Sequence, residues 1–222
     1  MALVMVHLLI AREWATRHAQ YLESPEYYYG AIAPDAIHVR DGNDKSRKND
    51  IHFGNWSGSR PEQMREYWLS HRTDFDVGYA IHCLTDGIWV DGYKAAFPGI
   101  CLPDGRANPT IYYNDVYGTE RALFHDSTGV PHLFELIASA STPKDHPQLR
   151  ADEFRAWRQN VLREYNVEHP AIGAWRKKSA AEMGLPEPMD GEPVYITPQY
   201  IHRFIDETCE RIEDIIRRYE HE

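Results

Sequence analysis

The sequence predicts an all-α fold: a single-domain bundle of about six to seven helices with one long ordered loop. Apolar residues recur at helical spacing in several segments, and no segment keeps the strict alternation of a half-buried strand. The chain has 222 residues and 42% hydrophobic content, enough to bury the core of one domain. Because no internal repeat divides it, we treat residues 1–222 as one domain.

Apolar spacing and helix end signals place the helices along the chain. The first helix is predicted at residues 3–21, and Ser24-Pro25 just after it is the signal that ends it. Asp74 is a candidate cap for a long central helix, and Gly129 separates two later ones. The further helices are expected at 61–71, 74–93, 110–127, 130–141, 150–166 and 198–220, with one more short helix inside 169–198.

Residues 26–56 have no sustained period and are rich in Gly, Pro, Asp and Asn. We interpret them as a long ordered loop in which a short helix fits residues 26–32. A loop of this length inside a compact domain is usually functional. Its basic residues, Arg40, Lys45, Arg47 and Lys48, could meet an anionic substrate or form a solvated charge run.

The charge balance restricts the partners. With 24 basic and 34 acidic side chains, the net charge of −10 argues against a general nucleic-acid surface or an anionic membrane surface. No apolar run approaches the length of a membrane span, so no stable membrane association is expected. The oligomeric state is left open.

Cysteine usage and the first residues favour a cytoplasmic protein. Cys83, Cys101 and Cys209 are odd in number and lack CxxC spacing, as expected of reduced thiols rather than a disulfide framework. The apolar N-terminal stretch lacks a basic segment before it and is soon broken by Arg12 and Glu13, unlike a signal peptide.

The stretch GYAIHCLTDGIW (78–89) places His82 and Asp86 four residues apart on one face of the central helix. An imidazole nitrogen beside a carboxylate oxygen is a ligand pair that zinc and similar metals accept. An ordinary helix salt bridge is the alternative. The neighbours are mostly apolar, and a buried charged aspartate needs a strong partner, which favours the metal interpretation.

Three more residues could complete such a site. Asp35 follows the tight segment GAIAP, His52 lies at the far end of the loop, and His7 lies on the first helix. Taken alone, each has a simpler interpretation: a turn aspartate, a surface histidine and a core histidine.

Together, His7, YYYGAIAPD, K…HF and GYAIHCLTDGIW resemble the zinc-dependent phospholipase C family, and more closely its short intracellular bacterial relatives. The resemblance covers about residues 3–93, in the same order. It implies an all-helical domain with a cluster of metal ions at the bottom of a cleft.

The resemblance also implies roles for individual residues. Asp35, His52, His82 and Asp86 would bind one metal ion; His7 and Asp86 would bind a second, with Asp86 bridging the two. Asp35 would also be the catalytic general base. The implied cofactor is zinc or another divalent transition metal, about one to two ions per chain.

The sequence departs from the family beyond residue 95. A third metal would need two further histidines and an HxxxE glutamate, whereas His132 and Glu135 have the wrong spacing. His202 and Asp206 have a suitable spacing but a different place in the chain. The lipid-engaging face and membrane-binding domain of the toxin members have no counterpart, so a small phosphoester is expected as substrate rather than a phospholipid.

The sequence therefore predicts a metal-dependent hydrolase of a phosphate ester, a phosphodiesterase or phosphatase that uses metal-activated water. One alternative is an HD-type phosphohydrolase built on the His125-Asp126 doublet, with His82 as the preceding histidine. The other is a non-catalytic, metal-stabilised interaction protein. Asp115, among aromatic residues, could complete the site, line a substrate pocket or lie on a helix surface.

Overall fold

The computed structural model confirms the all-α fold. It describes residues 3–40, 46–54, 61–144, 146–174 and 191–221. Within these ranges the chain forms no β-strand and has one isolated β-bridge, between Cys101 and Ala107. The α-helices of the described ranges are α1 (Val4–Arg17), α2 (Pro25–Gly30), α3 (Lys48–Ile51), α4 (Pro61–Ser70), α5 (Asp74–Ala96), α6 (Pro109–Asp126), α7 (Val130–Ser139), α8 (Ala151–Glu164) and α9 (Pro198–His221).

The predicted long loop contains more helix than expected. It includes α2, which agrees with the short helix expected at 26–32, and in addition a 3₁₀ helix at Ala33–Val39 and the short helix α3. Ser24 caps α2 by accepting a hydrogen bond from the Tyr27 N–H, and Pro25 occupies the first turn. Residues 41–45 and 55–56 of this loop fall outside the described ranges, as do residues 175–190 of the segment 169–198 in which one short helix was expected.

The long helices agree with the prediction to within a few residues at their ends. The first helix is shorter than expected: it ends at Arg17, and a 3₁₀ turn follows at Ala19–Tyr21. At the start of α5, Thr73 and Asp76 form a reciprocal capping box, which replaces the expected cap by Asp74.

Helix α5 is central, and α2 crosses it at very short range. A Cβ atom built on Gly78 would lie 2.0 Å from the carbonyl oxygen of Tyr27, and one on Gly30 would lie 2.1 Å from that of Phe75. Only glycine at both positions lets the two backbones touch. This crossing brings the residues that follow α2 against the middle of α5.

Helix α1 completes the core around α5 and packs against α5, α6 and α9. The amphipathic helix α9 buries one face against α1, where the Cys209 thiol approaches the carbonyl oxygen of Ile10 at 3.6 Å. None of the three cysteines forms a disulfide. No helix within the described ranges is both long enough and apolar enough to cross a membrane.

Candidate metal centre

The five residues singled out from the sequence lie together in the core. His7 comes from α1, Asp35 from the 3₁₀ helix after α2, His52 from the end of α3, and His82 and Asp86 from α5. Each is at most 3% exposed. Four segments that are distant in sequence therefore meet at one buried point.

Asp86 lies at the centre of this cluster. Its carboxylate oxygens are 3.5 Å from His7 Nε2, 3.8 Å from His52 Nε2 and 3.9 Å from His82 Nε2. Asp35 Oδ1 is 3.6 Å from His52 Nε2. Two ligands of one zinc ion, each about 2.0–2.2 Å from the metal, are separated by roughly 3–4 Å. The spacing is therefore longer than a good hydrogen bond and suited to a shared cation.

Two subsets of the cluster have their ligand atoms within 4.8 Å of one another. One is His7, Asp35 and His82; the other is His52, His82 and Asp86. His82 belongs to both, and its ring stacks on that of His7 with centroids 3.7 Å apart and 10° between the planes. The two subsets together offer ligands for one ion or for two neighbouring ions.

Backbone carbonyls set the tautomers of two of the histidines. His82 Nδ1 is 2.8 Å from the carbonyl oxygen of Ala31, and His52 Nδ1 is 3.0 Å from that of Lys48. A carbonyl only accepts, so Nδ1 must carry the proton in both rings. In a neutral ring, Nε2 then presents a lone pair toward the carboxylates, as in metal-binding histidines.

The buried ring nitrogens lack other partners. Among the described residues, Nε2 of His7, His52 and His82 has no hydrogen-bond partner. Buried polar atoms are rarely left in this state in a folded protein. Burial, followed by the neighbouring His7, lowers the pKa of His82 to about 3, which keeps this imidazole neutral. These nitrogens fit a metal ion well.

The two carboxylates are held in their charged form. Burial alone raises the pKa of Asp35, but His38 and His52 outweigh it and hold that pKa well below its usual range. Burial likewise raises the pKa of Asp86, and the opposing effect of His7 leads the interactions that keep it low. Two buried anions beside a neutral imidazole are costly unless a cation compensates them.

A cleft of about 550 Å³ reaches one side of the cluster. Asp35, His38 and Lys48 line its wall there, and His7, His52, His82 and Asp86 are not among the lining residues. Most of the remaining wall is apolar or aromatic, including Tyr93, Tyr112, Tyr113, Tyr117 and Trp157. Two further cations, Lys94 and Arg106, and a second carboxylate, Glu164, also border the cleft. Its volume and mixed lining are typical of a small-molecule site.

No known protein family, curated protein or solved structure matches the chain. The resemblance to the zinc-dependent phospholipase C family therefore stays a prediction from the quoted motifs.

Several other candidates from the sequence lie elsewhere. His125 and Asp126 are exposed at the end of α6, and His202 and Asp206 are exposed on α9. The HD-type alternative therefore has its doublet on the surface, away from the buried cluster. His132 is also exposed, with the carboxylates of Glu23 and Glu135 at 2.8 and 3.3 Å.

Asp115 is fully buried but has a structural role. Its carboxylate accepts hydrogen bonds from the backbone N–H groups of Val194, Tyr195 and Ile196 at 3.0, 2.6 and 3.0 Å. It thereby ties the segment before α9 to α6. The sequence had suggested a place in the site, in a substrate pocket or on a helix surface for Asp115, and none of these predicted its structural role.

The basic residues of the long loop have different environments. Arg40 makes a two-bond contact with Glu153, at 2.6 and 3.0 Å, and so is part of the structure. Arg47 is exposed and pairs with Asp50. Lys48 is buried in the cleft wall, and Lys45 is not among the described residues.

Sequence reasoning missed His38. It lies three residues after Asp35 on the 3₁₀ helix, with Nε2 3.3 Å from Asp35 Oδ1. Since a 3₁₀ helix has three residues per turn, positions i and i+3 share one face. Because positions i and i+3 are neighbours on an α-helix as well, the spacing would have revealed His38 only if residues 33–39 had been predicted to be helical.

Proposed function

We propose that the protein is a metal-dependent hydrolase of a phosphate ester. The observation that carries the proposal is the convergence of three buried histidine nitrogens and two charged carboxylates beside a cleft with a basic and aromatic lining. His7, Asp35, His52, His82 and Asp86 would hold zinc or a similar divalent ion, about one to two per chain.

When bound, such an ion polarises a phosphoryl oxygen and lowers the pKa of water to near 7. The protein supplies the arrangement around it. Ala31 and Lys48 fix the proton positions of His82 and His52 through their carbonyl oxygens. These contacts already aim each Nε2 at the position that the ion would occupy, so the rings need little rotation when it binds.

Asp35 is the site carboxylate that lines the cleft. Because its low pKa keeps it ionised, its oxygen can accept a hydrogen bond from an attacking water and orient that water, or take its proton. The other four proposed ligands are buried and do not line the cleft. Asp35 is therefore the proposed catalytic residue.

The rest of the cleft would bind the organic part of the substrate. Aromatic rings give large apolar contact with few rotatable bonds, and Tyr hydroxyls add polar contacts at their edges. Among the described residues, three cations, Lys48, Lys94 and Arg106, border the cleft against two carboxylates, Asp35 and Glu164, and this positive balance favours an anionic ligand. A small phosphoester has both properties.

A closed site gives a second candidate function. All five ligands are at most 3% exposed, and structural zinc sites are closed whereas catalytic ones keep an open position. A metal-stabilised interaction protein would also fit this burial. The contact of Asp35 with the cleft favours the hydrolase.

The experiment is elemental analysis of untagged protein combined with a hydrolysis panel. We expect about one to two equivalents of zinc, iron, manganese or nickel. Simple phosphomonoesters and phosphodiesters, with added zinc or manganese, should be hydrolysed. Less than about a tenth of an equivalent, with none taken up on reconstitution, would refute the metal site. Bound metal without turnover of any ester would favour the interaction protein.

A further inference from the structure

Lys48 has an unusual position for a lysine. It is the first residue of α3, and only 9% of it is exposed. Its Nζ atom lies 2.7 Å from His38 Nε2, which in turn lies 3.3 Å from Asp35 Oδ1. All three side chains line the cleft. A buried cation thus adjoins the only proposed metal ligand that reaches the cleft.

The contact between Lys48 and His38 fixes the place of the lysine side chain. His38 Nε2 lies between Lys48 Nζ, at 2.7 Å, and Asp35 Oδ1, at 3.3 Å, so the three side chains form one continuous row along the cleft wall. Lys48 Nζ is thereby held at the cluster end of the cleft. The backbone of the same residue is also fixed, because its carbonyl oxygen accepts from His52 Nδ1.

The other two cations of the cleft are less suited to bind an anion at the cluster. Arg106 is exposed and pairs with Asp104 at 2.7 Å. Lys94, on α5, is only partly buried. Lys48 is the one in contact with a neighbour of Asp35, and its burial makes its electrostatic interactions stronger than those of exposed cations.

We propose that Lys48, positioned by His38, binds the non-bridging oxygens of a phosphoryl group at the cluster end of the cleft. The inference rests on the proposed function and names the anion-binding residue of that site. Divalent ions bound at the cluster would repel the buried Lys48 ammonium. A phosphoryl group placed between the ions and Lys48 would offset that repulsion. Hydrogen bonds from an ammonium to phosphate are among the stronger ones in proteins.

Equilibrium binding of inorganic phosphate to the protein as isolated tests the inference. Lys48→Met should weaken phosphate binding about ten- to hundredfold, as expected for loss of one charge-assisted hydrogen bond. Lys48→Arg should recover part of the affinity. The matched control is Lys144→Met, which removes the same charge at an exposed position and should bind phosphate like wild type.

A second measurement uses wild-type protein and needs no folded variant. Phosphate should slow the reductive methylation of Lys48, followed by peptide mass spectrometry, and should leave Lys144 unchanged. Wild-type affinity in Lys48→Met, or no protection of Lys48 at saturating phosphate, would overturn the inference. Protection of Lys144 to the same extent would also overturn it.

These outcomes are separable from those of the proposed function. Phosphate binding that depends on Lys48, without metal or hydrolysis, would sustain the anion site and remove the hydrolase. Hydrolysis with an unchanged KM and unchanged phosphate inhibition in Lys48→Met would sustain the hydrolase and remove the anion site.

Discussion

At the scale of single residues, proton placement decides what the cluster can bind. The carbonyl oxygens of Ala31 and Lys48 hold the Nδ1 protons of His82 and His52, so the opposite nitrogens, Nε2, face the carboxylates. With Asp35 and Asp86 charged, the site attracts a cation rather than a proton. The residue-scale predictions concern one ligand and one catalytic carboxylate.

His82→Ala should remove metal and lower stability. His82 belongs to both ligand subsets, so its loss should weaken metal binding by more than the roughly 10–100-fold typical of outer-shell changes. Because a metal bound only to the folded state adds folding free energy, the variant should melt at lower temperature. Metal content and thermal melting, each with and without chelator, measure both effects.

His125→Ala is the matched control, since it removes an exposed histidine outside the cluster. It should keep its metal and its melting temperature. If wild type and His82→Ala melt alike and chelator changes neither, His82 and Asp86 form only a salt bridge. Loss of metal in His125→Ala would instead revive the HD-type alternative.

Asp35→Asn should keep the fold and most of the metal but lose hydrolysis. An amide keeps the shape and still offers an oxygen, but it cannot take a proton from water. Loss of a general base typically costs about 10²–10⁴ in rate. The rate is measured on metal-quantified protein with phosphomonoesters and phosphodiesters, and exposed Asp126→Asn serves as the control. Full activity in Asp35→Asn would remove Asp35 from the catalytic role.

At the scale of elements, the crossing of α2 and α5 positions the site. Gly30 and Gly78 allow backbone contact between these helices, and just beyond the crossing the Ala31 carbonyl reaches His82. The chain then turns through Ile32 into the 3₁₀ helix that carries Asp35. A small shift of α2 therefore moves both a hydrogen-bond partner and a ligand.

Gly78→Ala tests this crossing. The new methyl group would meet the Tyr27 carbonyl at 2.0 Å, and a backbone atom there cannot turn aside as a side chain can. We expect the free energy of unfolding to fall by about 1–3 kcal/mol, the usual range for overpacking. Metal affinity should fall as well. Denaturant unfolding and metal titration provide the two readouts.

Gly92→Ala, on the same helix, is the control. Its new methyl group would meet a ring atom of Phe204 at 3.1 Å, which a small side-chain movement can relieve. The gain in helix propensity, up to about 1 kcal/mol, opposes that cost. Equal destabilisation by the two substitutions would mean that the close crossing of α2 and α5 has no special importance.

At the scale of the whole molecule, buried polar groups join helices that are far apart in sequence. Glu120 on α6 accepts hydrogen bonds from the Met5 N–H of α1 and, at 2.6 Å, from the Tyr165 hydroxyl just after α8. Burial outweighs these bonds and raises the pKa of Glu120 to about 8. The carboxyl is therefore protonated in the folded protein at neutral pH.

This shift predicts a pH dependence of stability. The folded pKa lies above the ordinary value of 4.5, so the folded state binds more protons between pH 4.5 and about 8. The stabilisation is complete below the ordinary pKa and is lost as the pH rises through about 8. Glu120→Gln stays neutral, so its free energy of unfolding should not show this loss. Relative to wild type, the variant should therefore become more stable as the pH rises, by at most about 1.4 kcal/mol per pH unit.

Denaturant unfolding at about pH 6 and about pH 9 measures the difference. The exposed Glu210→Gln should follow the wild-type pH profile. A constant difference between Glu120→Gln and wild type at both pH values would show that Glu120 has no raised pKa.

The sequence by itself determined the long helices and the local part of the site. Helices α4 to α9 follow the apolar spacing because a 3.6-residue period and end caps act over a few residues. The pair His82 and Asp86 could be recognised for the same reason, since four residues along a helix always share a face. The all-α fold class follows from these local signals.

Only the tertiary structure decided which other residues join that pair. His7, Asp35 and His52 are brought to α5 by packing across 30 to 75 residues of chain, as at the glycine crossing, and no local period encodes such contacts. The positions of His38 and Lys48 beside Asp35 depend on the 3₁₀ helix and on α3, and the sequence did not predict either of these short helices. Asp115 fits an acceptor role only because the segment before α9 returns to it. Spacing along the chain sets which side chains share one face of a helix. Which side chains of other helices meet that face depends on how the helices pack.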